Sequence, residues 1–456
     1  MKTYNVRFWK ISKKKTGAAP YLVRWVVDGT VFPRHFTTAA LADSFRSELV
    51  QAARRGEAFD TDTGLPESMT RAKTGMTWYQ HACEYVNDRW DKVSGKQRIS
   101  IAETLTAVTP VLVRERRGAP DLAILRTALY RWAFNKPRRG TDMPPEVAAA
   151  LKWLDRVSIP VAELAEYDRI AAALEACARK LDGKPAAAGY FSRRRRVLYN
   201  ILNYAVVRKR LQSNPINGLD WKAPEDDVCE EVDPAAVASP EQVRELLTAV
   251  SYAGWRRGPR LVAFFACMYF AMMRPGEVIA LRRQDCDLPE KGWGRLMLGD
   301  SRPTVGTEWT DDGKVHEARG LKGRPRKAKR PVPIPPELVT ILRKHIARYG
   351  VADDGRLFRT ERNGMLQASG YTRTWRTARS LALSPAQVAS ELARRPYDLR
   401  HAGVSMRLNA GIPATQVAEW AGHSVEVLLK IYAKCIDGRD HVWRDLVDRA
   451  LEGEAG

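Results

Sequence analysis

Five short stretches in the C-terminal part of the chain carry side chains suited to chemistry on a phosphate ester. Met273-Arg274-Pro275-Gly276-Glu277 closes an apolar run, and Gly320-Leu321-Lys322-Gly323-Arg324 leads through Lys327, Lys329 and Arg330 into Pro331-Val332-Pro333-Ile334-Pro335. Pro396-Tyr397-Asp398-Leu399-Arg400-His401, Trp420-Ala421-Gly422-His423-Ser424 and Ile431-Tyr432-Ala433-Lys434 follow. Singly, each has a plainer reading. Arg274 would be a cation at a helix C-terminus, Lys322 part of a solvated basic loop, and Tyr432 a core aromatic. Together they match the demands of a phosphodiester, which repels nucleophiles and spreads negative charge over its non-bridging oxygens in the transition state. Preorganised cations are the largest help such a reaction can receive. Arg274 and Arg400 suit that task, because a guanidinium is always charged and grips phosphate oxygens bidentately.

The order is Arg, Lys on a hairpin, x-x-Arg-His, Gly-His, then Tyr nine residues later. It resembles the catalytic signature of the tyrosine recombinases and phage integrases. The match runs from roughly Ser239 to Asp437 and is densest from Tyr397 to Tyr432. The resemblance implies Tyr432 as a nucleophile that leaves a 3′-phosphotyrosine and so conserves the bond energy. It implies Arg274 and Arg400 as the phosphate grip and His423 as a further hydrogen-bond donor. It implies Lys322 as the candidate general acid for the departing 5′ oxygen, ahead of Lys327. A free phenol has a pKa near ~10, and the arginine cluster is expected to favour its phenolate. One position departs from the family, which usually has His where Tyr397 stands; a phenol can hydrogen-bond a phosphate but is no base at neutral pH. His401 is next door to Arg400, but on a helix it is expected to point about 100° away. His423 and Tyr432 pose a second difficulty, since nine residues of unbroken helix rise ~14 Å.

By that resemblance the protein would cut and rejoin two duplexes through a Holliday junction as a homotetramer on DNA, integrating or excising a mobile element. Its partners would be double-stranded attachment sites and an accessory DNA-bending or directionality factor. The Arg- and Ala-rich wording suggests a high-GC actinobacterial phage or integrated element. No metal or nucleotide cofactor is expected, in line with the missing ligand spacings and the missing P-loop. Two other readings share these residues: a type IB topoisomerase, and a DNA-binding architectural or regulatory protein with an inactive pocket. The separate N-terminal sheet favours recombination over the former, and the full set Arg274, Lys322, Arg400, His423 and Tyr432 stands against the latter.

The rest of the chain must position these groups. Its 456 residues exceed one ordinary core, so two or three domains are expected. Seventy-five Lys and Arg against 53 Asp and Glu give a net charge of +22, which favours a polyanionic partner, nucleic acid ahead of membrane. Six scattered cysteines without a CxxC pair argue against a zinc site and a disulfide framework and fit a reducing cytoplasm. Met1 to Lys15 lacks the apolar stretch of a signal peptide, and the apolar run Leu261 to Met273 is too short for a membrane span and reads as a buried helix.

The fold class expected is mainly α with small β elements (α+β), in three domains. Residues 1–65 would form a three-stranded arm-binding-like DNA module, 76–222 a helical core DNA-binding domain, and 237–456 a mixed α/β catalytic domain. Alternation at Tyr4, Val6 and Phe8 and at Tyr21, Val23, Trp25 and Val27 marks strands, with Asp28-Gly29 as a hairpin turn. Val31 to Thr37 supplies the third strand, and Ala39 to Ala53 is a helix with Leu41, Phe45 and Leu49 on one face. Arg7, Lys10, Arg24 and Arg34 stud this sheet, as a solvated face or a DNA grip. Arg193, Arg194, Arg195 and Arg196 are expected to open a helix, where they would oppose its dipole unless a phosphate backbone lay nearby. Arg324 and Lys327 complete the candidate DNA contacts. Residues 223–236 are acidic and read as a linker. After them Ser239, Pro240 and Gln242 spell a capping box with Pro at the first helical position. A C-terminal amphipathic helix with Val442, Trp443, Leu446, Val447 and Leu451 would dock on a neighbouring subunit or fold back on its own.

Overall fold

The structure is a computed structural model that describes residues 2–13, 19–67, 69, 75–180, 182–221, 232–322, 325, 328–435, 444, 447, 448 and 451. The chain divides into two compact units, Met1–Asp226 and Asp227–Gly456. The division falls inside the acidic segment expected to be a linker, most of which lies outside the described residues. So do Arg324 and Lys327, and Val442, Trp443 and Leu446 of the expected C-terminal helix; Val447 and Leu451 are exposed.

The first unit opens with short strands β1 (Lys2–Thr3), β2 (Val6–Phe8) and β3 (Ser12–Lys13), then β4 (Tyr21–Val27) and β5 (Thr30–Phe36). The antiparallel sheet has four strands, not three, because β2 and β3 both pair with β4. Phe8 sits opposite Trp25 and Ser12 opposite Leu22. The first strand therefore carries one residue more than its partner between these pairs, a bulge that interrupts it. Helix α1 (Ala39–Arg54) buries Ala42, Phe45, Leu49 and Ala52 against Val23, Trp25 and Val27, while Leu41 is exposed, unlike the face read from the sequence. Strand β6 (Phe59–Asp60) pairs with β1. Arg7 lies opposite Val26, beside Arg24, so both stand on the outer face of the sheet. Arg34 lies opposite Val23 and covers the Phe45 ring from 4.5 Å.

Helices α2 (Trp78–Trp90), α3 (Gly95–Val108), α4 (Leu122–Ala128), α5 (Pro145–Val157), α6 (Tyr167–Ala178) and α7 (Ala188–Val207) follow in the same unit. Here the arginine quartet departs from expectation. Helix α7 begins at Ala188, so Arg193 to Arg196 lie in its second turn and beyond, away from the terminal amides whose dipole they were expected to oppose. Arg193, Arg195 and Arg196 are exposed, but Arg194 is only 2% exposed. Its guanidinium donates to the Arg179 carbonyl (2.8 Å) and to the Tyr190 hydroxyl (2.8 Å) and stacks on the Tyr190 ring. Arg194 thus staples α7 to the end of α6 and is withdrawn from any external anion, contrary to its place among the candidate DNA contacts.

The second unit begins with α8 (Pro240–Tyr252), capped as the sequence specifies: Ser239 Oγ accepts from the Gln242 amide, and Gln242 Oε1 from that of Ser239. The apolar run becomes α9 (Arg257–Phe270), and α10 (Pro275–Ala280) starts directly after Arg274. Strands β7 (Cys286–Asp287), β8 (Gly294–Leu298), β9 (Asp300–Ser301), β10 (Arg319–Gly320) and β11 (Arg330–Ile334) form two antiparallel sheets, ordered β11-β8-β7 and β10-β9. The returning strand enters α11 (Pro336–Tyr349) through its leading proline, as expected. Then come α12 (Ala368–Ala382), α13 (Pro385–Ala389), α14 (Asp398–Asn409), α15 (Ala414–Ala421) and α16 (Val425–Tyr432). One core joins α8, α9, α11, α12 and the strands, and a second, containing Met272, Val404, Val417, Leu428 and Tyr432, lies between α14, α15 and α16. Gly403 makes the α9–α14 crossing possible, since a Cβ there would collide with the Tyr269 carbonyl. Among the described residues no helix is long and apolar enough to cross a membrane.

Candidate active site

Arg274 is the residue before α10, and Glu277 three residues on turns back to it. Glu277 Oε2 accepts from the Arg274 amide (2.9 Å) and Oε1 from Arg274 Nη1 (3.0 Å). Nη2 of the same guanidinium donates to the Gly422 carbonyl at 2.9 Å. The cation is therefore held flat between a helix N-terminus and the Gly-His turn. On the other side of Glu277, Arg330 at the start of β11 donates from Nη2 to Oε2 at 2.9 Å. Both partners are 1% exposed. Burial alone would raise the Glu277 pKa, but Arg330, Arg274 and Arg400 outweigh it and bring it down to about 2. The buried carboxylate is thus a permanent anion that lets cations gather without solvent.

Arg400, in the first turn of α14, is fully buried. Its Nη1 donates to the Met272 carbonyl, and its Nη2 donates to the Ala421 carbonyl (2.6 Å) and faces His423 Nε2 at 2.7 Å. Met272 adopts a left-handed φ of +50° between α9 and α10, a conformation that costs a non-glycine residue about 1 kcal/mol or more. That turn aims its carbonyl at the guanidinium. Burial, then repulsion from Arg274, lowers the Arg400 pKa to about 10, which leaves it charged at neutral pH.

His423 follows the Gly422 turn. Burial and the charges of Arg400 and Arg274 depress its pKa to about 3, so the imidazole is neutral. Arg400 has no acceptor atom, so Nε2 must accept and Nδ1 carries the proton. Nδ1 is buried and has no partner among the described residues. That N–H is a donor left available to a ligand. Gly422 takes the left-handed conformation (φ +67°) that ends α15, and a Cβ there would run into the Arg330 guanidinium. Both facts demand glycine. The break also removes the difficulty of unbroken helix: the His423 and Tyr432 rings lie 6.2 Å apart.

Tyr432 ends α16 and is fully buried. Its pKa is raised by burial, which outweighs the pull of Arg400. The expectation that the arginines favour its phenolate therefore fails in this structure, because their N–H groups are turned to carbonyls and a carboxylate. The phenol instead meets His401, whose Nδ1 lies 2.9 Å from the Tyr432 hydroxyl. This corrects the direction expected for His401. A step of one residue does turn it 100° from Arg400, but a step of four from Tyr397 returns it to the face Tyr397 occupies. The two rings pack edge-on at 5.1 Å. Burial, then Arg400 and Arg395, holds the His401 pKa near 4, so the ring is neutral and free to accept the phenolic proton.

Of the residues singled out in the sequence, Arg274, Arg400, His423 and Tyr432 converge, with Tyr397 beside them through His401. Lys322 is exposed in the turn after β10 and makes no hydrogen bond or ion pair to the cluster among the described residues. Sequence reasoning missed Glu277 and Arg330 and misdirected His401. Glu277 had a signal, since a carboxylate at the third helical position after Arg-Pro is where a capping box would put it. Arg330 had none, because its partner is 53 positions away. No group of three or more metal-ligating side chains occurs among the described residues.

No family model matches the chain. It is similar to an integrase of Mycobacterium phage D29, 24% identical over 268 residues, covering 54% of this chain and 59% of that protein. The chain thus spans about three fifths of the length of the relative it matches. Among solved structures, it overlays the Tn1549 transposon integrase in complex with transposon right end DNA with a TM-score of 0.47, at 15% identity, covering 72% of this chain and 98% of that one. For the lambda integrase, residues 75–356 bound to DNA, the TM-score is 0.41 at 13% identity, covering 67% and 93%. In sequence the chain is similar to a phage integrase, and around the buried Glu277 it gathers Arg274, Arg330 and Arg400, with His423, His401 and Tyr432 next to Arg400.

Proposed function

We propose that the protein is a tyrosine-type site-specific DNA recombinase that acts as an integrase. The observation that carries this reading is the Tyr432 hydroxyl held against a neutral His401, beside Arg400, Arg274 and the Nδ1–H of His423, which has no partner among the described residues. In the proposed reaction Tyr432 attacks a DNA phosphorus, passing its proton to His401 Nδ1. The bond to the 5′ oxygen breaks, and that oxygen takes a proton from Lys322. The product is a 3′-phosphotyrosine, and attack by a 5′ hydroxyl reverses the step and rejoins a strand. Arg400 and Arg274 retain N–H groups beyond those engaged in the fold, and with His423 they would bind the non-bridging oxygens where charge develops.

His401 supplies what position 397 lacks. A phenol at 397 cannot accept the nucleophile's proton at neutral pH, whereas an imidazole one helical turn away can. Lys322 is read as a residue that comes to the phosphate with the hairpin when DNA binds. The double-stranded attachment site would be held by the catalytic unit and by two modules of the first unit, 1–65 through Arg7 and Arg24, and 76–222 through Arg193, Arg195 and Arg196. Assembly as a homotetramer on two sites, with an accessory bending or directionality factor, completes the proposed cycle.

The test is a duplex of the candidate site nicked near the cleavage position, which traps the covalent state. Wild type is expected to yield an SDS-resistant protein–DNA adduct and Tyr432→Phe none. An absent wild-type adduct, or an equal adduct with Tyr432→Phe, refutes the mechanism. A two-site recombination assay then separates an integrase from a relaxing enzyme.

A further inference from the structure

A second concentration of cations lies in the same unit, at the opposite end of α9 from Arg274. It surrounds a half-open cavity of about 970 Å³, lined by Arg257, Arg260, Arg356, Arg359, Arg362 and Arg373, with Glu361 as the only carboxylate in its wall among the described residues. The 14 residues of α9 rise ~21 Å, so this cavity is separate from the tyrosine cluster. Repulsion among six guanidiniums is a standing cost unless an anion offsets it.

Three features show a built site rather than a solvated charge run. First, the N-terminal turns of two long helices, α9 and α12, both line the cavity, and neither has a side-chain cap. Their positive ends add to the arginines. Second, Arg356 is 8% exposed and bound to Asp354 through Nε at 2.6 Å, yet its buried Nη1 has no partner among the described residues. Third, two of the arginines are held in place by Tyr349. Arg359 Nη2 donates to its carbonyl at 2.8 Å, and the Arg260 guanidinium stacks 4.6 Å over its ring. Arginines fixed by second partners are preorganised to bind, because less side-chain freedom is lost when the ligand arrives.

We propose that this cavity is a second anion site, taking adjacent phosphate groups of a DNA strand or of a free nucleotide. The geometry suits either source. A duplex seated at the tyrosine cluster would need about six base pairs, at ~3.4 Å each, to span the length of α9. A cavity of this volume also suits a free phosphate ester. The DNA form rests on the proposed DNA-cutting function, and the free-ligand form does not.

The experiment uses the full chain at low salt, with inorganic triphosphate titrated by calorimetry and a duplex of about 30 base pairs titrated at several salt concentrations. The variant is Arg362→Glu/Arg373→Glu, both exposed positions; a matched thermal melt shows that it folds, and Arg362→Gln/Arg373→Gln replaces it otherwise. Arg295→Glu, an exposed charge reversal on β8, is the control. Wild type and the control are expected to bind triphosphate, and the double variant at least ~10-fold more weakly, since each lost charge-assisted contact is worth a tenfold or more. A DNA salt slope shallower by about 2 in the variant identifies a strand as the ligand. An unchanged slope with lost triphosphate binding identifies a free phosphate ligand. Triphosphate binding that is absent in wild type, unreduced in the double variant, or reduced equally by Arg295→Glu overturns the proposal. The covalent adduct reports separately: triphosphate binding absent in wild type with an intact adduct overturns this site alone, and an absent adduct leaves the triphosphate result standing.

Discussion

At the C-terminal end of α9, Arg274 and Arg400 are held by Glu277 and by the carbonyls of Gly422, Met272 and Ala421. At its N-terminal end, among the described residues, six arginines share one cavity with a single carboxylate, and the buried Nη1 of Arg356 has no partner. The same residue type serves two purposes. At the tyrosine cluster the protein has already solvated its cations with fixed dipoles, so little reorganisation is needed when a phosphate arrives. At the other end Glu361 and Asp354 offset only part of the charge, and the rest has to be brought by the ligand. The difference teaches that a buried arginine is informative through its partners rather than its charge. Arg194 makes the same point in the first unit, where carbonyl and phenol acceptors make it a staple.

The comparison can be broken most directly at Arg400. Arg400→Ala should reduce adduct formation by at least ~10²-fold and also lower the melting temperature, because it strands two buried carbonyls. Tyr397→Phe should only slow the reaction. Equal losses in a single-turnover cleavage assay would mean that Tyr397 does more than pack against His401.

A smaller effect is expected at Gly422, where alanine adds about 1–2 kcal/mol for a left-handed residue and displaces the Arg330 guanidinium from Glu277. Gly422→Ala should therefore melt earlier and cleave more slowly than wild type. A variant that melts like wild type would show that the Arg330–Glu277 pair does not depend on glycine at this turn.

The smallest effect is a pH dependence. Unfolded histidine takes up a proton near pH ~6.5, whereas His401 and His423 in the fold resist until about 4 and about 3. Between these values the unfolded state binds more protons, so stability falls as the pH drops from ~6.5 towards 4. The Glu277 contribution, present above its unfolded pKa, disappears later, as the pH falls towards 2. Melting temperatures across this range should decline in two overlapping stages, the first shallower in His401→Gln. A flat curve between pH 6.5 and 4 would contradict the buried neutral imidazoles.

Much of the second unit was legible in the sequence because its signals are local. Ser239-Pro240 with Gln242 marks a helix start wherever it lies, and Pro335-Pro336 stops a strand and opens a helix. The N-terminal sheet was legible too, except for the bulge after Phe8, which depends on how two strands share a third. The start of α7 was misplaced because Ala188 to Phe191 carry no capping signal, and the four arginines drew attention to themselves.

The linear order of Arg274, Arg400, His423 and Tyr432 was set by the sequence alone. Only the tertiary structure decided that Tyr432 donates to His401, that Glu277 holds two arginines, and that Arg330 stands behind them. The physical reason is that Tyr432 and His401 lie 31 positions apart and Arg330 and Glu277 lie 53 apart, so neither periodicity nor capping rules reach those pairs. They meet because Gly403 lets α14 lie directly on α9 and because the Met272 turn gives up local comfort to face a buried cation.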